Sequence, residues 1–133
     1  MAEQNDEQHR LTDGVSVGAI RAFLEDLKRE FPESYTDMTT EDACQQLVVP
    51  RTKEPNCAYV DLLRRDSPQD VNKATVFVSH AWRYKIIDVL NTLLEFAEEQ
   101  EQLKGSGKSV FFWFDLFMNN QNATVTTHLP QDW

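Results

Sequence analysis

Ala74-Thr75-Val76-Phe77-Val78, running into Ser79-His80-Ala81-Trp82, and Val110-Phe111-Phe112-Trp113-Phe114-Asp115-Leu116-Phe117 are the two stretches whose reading decides the fold. Each is a short apolar run that meets polar residues near its end. Between them, from about Tyr84 to Leu103, Ile86, Ile87, Val89, Leu90, Leu93, Leu94 and Ala97 recur at helical spacing. A helical connection of this length predicts two parallel strands joined by a right-handed crossover. The first strand, 74–79, is near-continuously apolar, which predicts burial on both faces. In an open parallel sheet, polar groups at strand C-termini face the ligand crevice. Ser79, His80 and Asp115 are therefore the candidates for one ligand rim. For His80 the competing role is structural or loop-capping, and for Asp115 it is capping of the following turn.

Upstream of this unit the pattern is helical. Residues 1–14 are polar and read as a disordered tail. Ser16 is placed to cap a helix over 17–31, with Val17, Ile20, Phe23, Leu24, Leu27 and Phe31 at helical spacing. Thr39-Thr40-Glu41-Asp42 reads as a second helix start, capped by Thr39, with acids at the positive end of the macrodipole. Pro50 and Pro55 are expected to bracket a loop, Tyr59–Arg65 to form a third short helix, and Ser67-Pro68-Gln69-Asp70 a turn. The organisation expected is a tail (1–14), a helical N-terminal region (15–73) and a strand–helix–strand segment (74–133).

Composition narrows the function classes. The chain has 133 residues, enough for one domain. Its formal net charge of −9 disfavours nucleic acid and anionic membrane as partners. No apolar stretch approaches the roughly 18 residues of a membrane span, and the acidic, polar N-terminus is the reverse of a secretory signal. The expected location is cytoplasmic. The two cysteines, Cys44 and Cys57, sit in no CxxC or His/Cys cluster, so no metal site is expected and the thiols are read as reduced.

Other motifs dissolve on inspection. Gly105-Ser106-Gly107-Lys108-Ser109 resembles a phosphate loop but has Gln102 where the pattern needs its first glycine. It also joins a helix to a strand, the wrong order for a helix N-terminus to meet a phosphate, and reads as a turn. Asn122-Ala123-Thr124 is a sequon with no secretory route behind it. His9 and His128 lie far from His80 in the chain and make no cluster with it. Trp82, Tyr84, Trp113, Phe114 and Phe117 read as core or interface rather than base-stacking residues.

Val76-Phe77-Val78-Ser79-His80-Ala81 resembles the first strand and turn of a Toll/interleukin receptor (TIR) domain, and Phe112-Trp113-Phe114-Asp115 resembles that family's second strand with its terminal Asp. The longer pattern is similar to TIR-like segments of uncharacterised protist and algal proteins, and it covers about half the chain. The resemblance implies a flavodoxin-like parallel sheet, of which this chain holds the N-terminal half. It implies either of two roles: self-associating signalling adaptor, or NAD-cleaving enzyme with a glutamate on a helix well downstream of the second strand. No residue after Asp115 is Glu, so no position here receives the catalytic role. The expected function is a protein-interaction or signalling module with no cofactor. The alternative is the N-terminal part of a longer NAD-cleaving enzyme, and a third reading is a small α/β module binding a ligand at the rim. In the family's strand order the first strand lies between the second and the third; without a third, one of its edges is unpaired, which implies self-association through the sheet edge or marginal stability.

Overall fold

The computed structural model describes residues 13–78, 82–104, 110–119 and 121–122. The architecture is mixed α/β, with an open four-stranded sheet in the order β2-β1-β4-β3. Its strands are β1 (Asp13–Ser16), β2 (Val71–Lys73), β3 (Val76–Val78) and β4 (Phe111–Phe114). β3 and β4 run parallel, with Val76 beside Phe112 and Val78 beside Phe114. β1 is antiparallel to both of its neighbours, Val15 standing between Val71 and Phe112. The sheet is therefore mixed rather than all-parallel. Asp13 and Gly14, placed by their polarity in the N-terminal tail, lie in its central strand.

The first helix, α1 (Val17–Glu30), forms as its pattern predicts. Ser16 caps it, its hydroxyl accepting from the Ala19 N–H at 3.0 Å, and Ala19, Ile20, Phe23, Leu24 and Leu27 are buried. The second start is also as predicted: Thr39 and Asp42 exchange side-chain-to-backbone hydrogen bonds in a capping box at the head of α2 (Thr40–Ala43).

Beyond it the expected loop at Pro50 is absent. The helix instead widens into a π-helical stretch, Cys44–Val48, and continues as α3 (Val49–Thr52). Pro50 has no N–H for the carbonyl four residues back, and its ring crowds that carbonyl; a π turn accommodates both effects. The Val49 N–H reaches back to the Cys44 carbonyl. The buried Thr52 hydroxyl donates to the Val48 carbonyl at 2.9 Å, occupying an acceptor near the helix end. α4 (Tyr59–Asp66) follows, then a 3-10 turn at Pro68–Asp70.

The crossover helix α5 (Ile86–Lys104) buries Ile86, Leu90, Leu93 and Ala97. It packs beside α1, and its Phe96 ring lies 6.5 Å from that of Phe112. Helices thus cover the sheet face that carries Val15, Phe112 and Phe114. The opposite face carries Phe77, 64% exposed, beside the half-buried Trp113 at a ring separation of 6.1 Å. The expectation that strand 74–79 is buried on both faces fails for this reason. Its regular part is only Val76–Val78, it is the outermost strand, and a helix layer covers one side of it. The indole Nε1 of Trp113 is shielded from solvent with no hydrogen-bond partner among the described residues.

Segments on both sides of residue 74 share one core. Phe23 of α1, Tyr59 of α4 and Phe117 pack within 4.9–5.5 Å of one another, with Phe114 5.4 Å from Phe117. Charged ties sit around this core. Asp13, 5% exposed, accepts from Arg64 at 2.6 Å, and Arg51 joins α3 to Asp26 of α1 at 2.7 Å. Burial acts to raise the Asp26 pKa, but the Arg51 and Arg29 guanidinium groups outweigh it and hold the carboxyl below its ordinary value.

Gly14 is the tightest point of the sheet. A Cβ there would lie 2.9 Å from the Phe111 carbonyl carbon and from the Phe112 carbonyl carbon and oxygen. Because these are backbone atoms of a central strand pair, they cannot swing away as a side chain would. Gly14→Ala is expected to destabilise the fold by about 1–3 kcal/mol, read as a lower urea midpoint at unchanged m-value.

Candidate functional site

β3 ends at Val78 and β4 at Phe114, and these two residues stand side by side. Residues beyond this paired end are the ones that an open parallel sheet would place beside a ligand. Of the three candidate rim residues, Asp115 is described; Ser79 and His80, like the Gly105–Ser109 turn, lie outside the described residues.

Asp115 opens the single-turn helix α6 (Asp115–Met118) and is 8% exposed. Its side chain accepts from the Asn119 amide, and its carbonyl accepts from the Asn119 N–H at 3.3 Å and from the Gln121 amide at 3.1 Å. Leu116, Phe117 and Met118 are all buried, so the turn is held from inside as well as by its polar end.

The wall facing α6 is the widened helix. Cys44 is buried, and its thiol is pushed up to about 12, first by burial and then by the negative charges of Asp115 and Glu41. A thiol so shifted stays protonated at neutral pH and is no nucleophile. Both cysteines are free. Cys57 is less buried; desolvation and Asp61 raise its pKa while Arg65 opposes them.

A third wall comes from the segment entering α5. The Thr40 N–H donates to the Tyr84 carbonyl at 2.8 Å, the Glu41 N–H to the Trp82 carbonyl at 3.2 Å, and the Ile86 N–H to the Met38 carbonyl at 2.9 Å. With the Asp42 N–H donating to the Thr39 hydroxyl, the first-turn N–H groups of α2 are occupied by protein acceptors and are not offered to an anion.

Asn119, Gln121 and Asn122 look like part of a hydrophilic tail in sequence, yet Gln121 and Asn122 form a strap. Gln121 is 4% exposed. The Asn122 amide donates to the Thr52 carbonyl at 3.0 Å, to its hydroxyl at 3.1 Å and to the Cys57 carbonyl at 3.4 Å. These bonds close the turn at 53–57, where Asn56 adopts the left-handed conformation with φ +54°. Nothing in the residue types marks this pairing, because an amide becomes a tie only when a distant carbonyl is brought to it.

At the opposite end of β4 lies a cavity of about 340 Å³. It sits between the head of α1 and the C-terminal half of α5, and its lining includes Ser16, Arg21, Asp70, Glu98 and Glu101. The Ser16 hydroxyl donates to Asp70 at 2.7 Å there. Among the described residues no group of three or more His, Cys, Asp or Glu side chains is placed to hold a metal ion, and no helix is long and apolar enough to cross a membrane.

Two outcomes follow from this geometry. Native protein at pH 8 is expected to be alkylated at Cys57 and not at Cys44, which reacts only after unfolding; peptide mass mapping reads this. Asn122→Ala strips the strap from Thr52 and Cys57, and is expected to cost about 1–3 kcal/mol and to expose the 53–57 turn to limited proteolysis. Comparison of the chain with protein-family models, curated proteins and solved structures finds no match.

Proposed function

We propose that the chain is a TIR-like protein-interaction or signalling module. The observation that carries this reading is the parallel β3–α5–β4 unit, with β3 outermost and Phe77 64% exposed on its open face. The stretches that carry the resemblance include the β3 residues Val76–Val78 and the β4 residues Phe112–Phe114, and their parallel pairing supports this reading and the flavodoxin-like relationship proposed with it.

The described residues around the strand ends favour interaction over chemistry. Asp115 is engaged with Asn119, Cys44 is protonated, and the head of α2 is bonded to the segment entering α5. An exposed aromatic at a sheet edge is the kind of feature a protein partner covers. The acidic charge disfavours nucleic acid and anionic membrane among the partners the module would meet.

Photo-crosslinking tests this directly. A benzoyl-phenylalanine at position 77 is expected to yield covalent protein adducts in cells, while the same group at exposed Glu25 on α1 yields none. Absence of adducts from position 77, together with nicotinamide release when the purified chain is incubated with NAD, overturns the module reading in favour of the enzyme.

A further inference from the structure

We infer that Ser67 is a phosphorylation site for a proline-directed kinase, and that its phosphate unties β1 at both ends.

Both ends of β1 are held from one short stretch, residues 64–70. At the start of the strand, Arg64 donates to Asp13 at 2.6 Å. The Asp13 side chain is 7% exposed, and Arg64 is the only cation bonded to it among the described residues. At the end of the strand, Asp70 accepts from the Ser16 hydroxyl at 2.7 Å, the same hydroxyl that caps α1. Ser67 stands midway in sequence between these two holders. Its N–H donates to the Leu63 carbonyl at 2.7 Å, and its carbonyl accepts from the Asp70 N–H at 2.8 Å. Its hydroxyl makes no hydrogen bond among the described residues.

The place is open to an enzyme. Ser67 is half-buried at the end of α4, whose buried residues, Tyr59 and Val60, lie in the first turn. The last turn therefore opens at little cost to the core. Ser67-Pro68 is the one Ser-Pro or Thr-Pro step in the chain. Pro68 keeps Ser67 out of helical geometry, at φ −146° and ψ 66°. Kinases choose among hydroxyls by the residues around them, and a kinase that requires proline after the hydroxyl finds it here alone. The Ser67 hydroxyl attacks the terminal phosphorus of ATP. The new O–P bond replaces the bond to the β-phosphate oxygen, ADP leaves, and the hydroxyl proton passes to the kinase's catalytic base.

The phosphate then acts on both holders. It carries nearly two negative charges and three strong acceptor oxygens. The Arg64 guanidinium is a planar fork that suits phosphate, so it is drawn from Asp13 and leaves a shielded carboxylate without its cation. Arg65 reinforces the capture, because its present partner is the exposed Asp66 and such pairs are weak. On the other flank the phosphate repels the Asp70 carboxylate from Ser16.

The full chain is tested in two ways: with a purified mitogen-activated protein kinase and ATP, and with phosphoserine placed at position 67 by amber suppression. Mass mapping is expected to find phosphate on Ser67, and none in Ser67→Ala. In the phosphoserine chain, hydrogen exchange of the β1 amides is expected to rise about tenfold or more, since a buried carboxylate loses its partner. Asp13→Asn gives Arg64 no charge to neutralise, so phosphoserine in that background is expected to produce a smaller rise. Should Asp13→Asn fail to fold, Arg64→Ala is read the same way, because its tie to Asp13 is already gone. A chain left unphosphorylated at Ser67 by the kinase overturns the inference. So does β1 exchange that phosphoserine leaves unchanged, as when Arg65 alone takes the phosphate, or a rise that is as large in the variant background as in the native one.

Discussion

Val15 is hydrogen-bonded into the sheet on both sides, with Val71 on one flank and Phe112 on the other, and it is fully buried. This four-residue strand is the constraint on which the rest of the structure depends. It leads directly into α1 through the Ser16 cap, so its placement also fixes where Ile20, Phe23 and Leu27 meet the core. The approach of its Gly14 to the Phe111–Phe112 backbone leaves no room for a side chain. Backbone contact of that kind has no rotamer freedom to absorb error, so position 14 is set by steric exclusion rather than by attraction.

The parallel unit depends on that strand for its own order. β3 and β4 with one helix do not enclose a core; β4 is held on its other side by β1, and its Phe112 and Phe114 are covered by α1, α5 and the cluster around Phe117. The residues after β4 then turn inward rather than away. Burial of Leu116, Phe117 and Met118 brings the Gln121 amide onto the Asp115 carbonyl and carries Asn122 back to Thr52 and Cys57. A polar strap across an apolar cluster is stable because its amide donors find carbonyl and hydroxyl acceptors, and each such bond left unmade in a shielded place would cost about 1–3 kcal/mol.

The same packing divides the molecule into a closed side and an open one. The helix-covered face buries its aromatics, whereas Phe77 and Trp113 lie on the face where, among the described residues, no helix covers β3. The acidic residues of α5, Glu95, Glu98 and Glu101, are exposed. The β3 residues Val76–Val78, on the open side, carry no charge.

Much of the local structure was legible in residue order, because its causes are local. Ser16 and Thr39 cap their helices through atoms a few residues away, and the apolar spacings of α1 and α5 need only the 3.6-residue period. The parallel pairing of Val76–Val78 with Phe111–Phe114 follows from the length of the connection between them. What tertiary structure alone decided has non-local causes. Asp13–Ser16 is too short and too polar to read as a strand, and it becomes one because β2 and β4 supply partners 55 or more residues away in the chain. Pro50 ends a helix by local rules, yet this helix continues because a π turn admits it. Phe77 reads as core by composition and is exposed by position, since the sequence specifies how apolar a strand is and only the strand order specifies which of its faces is covered.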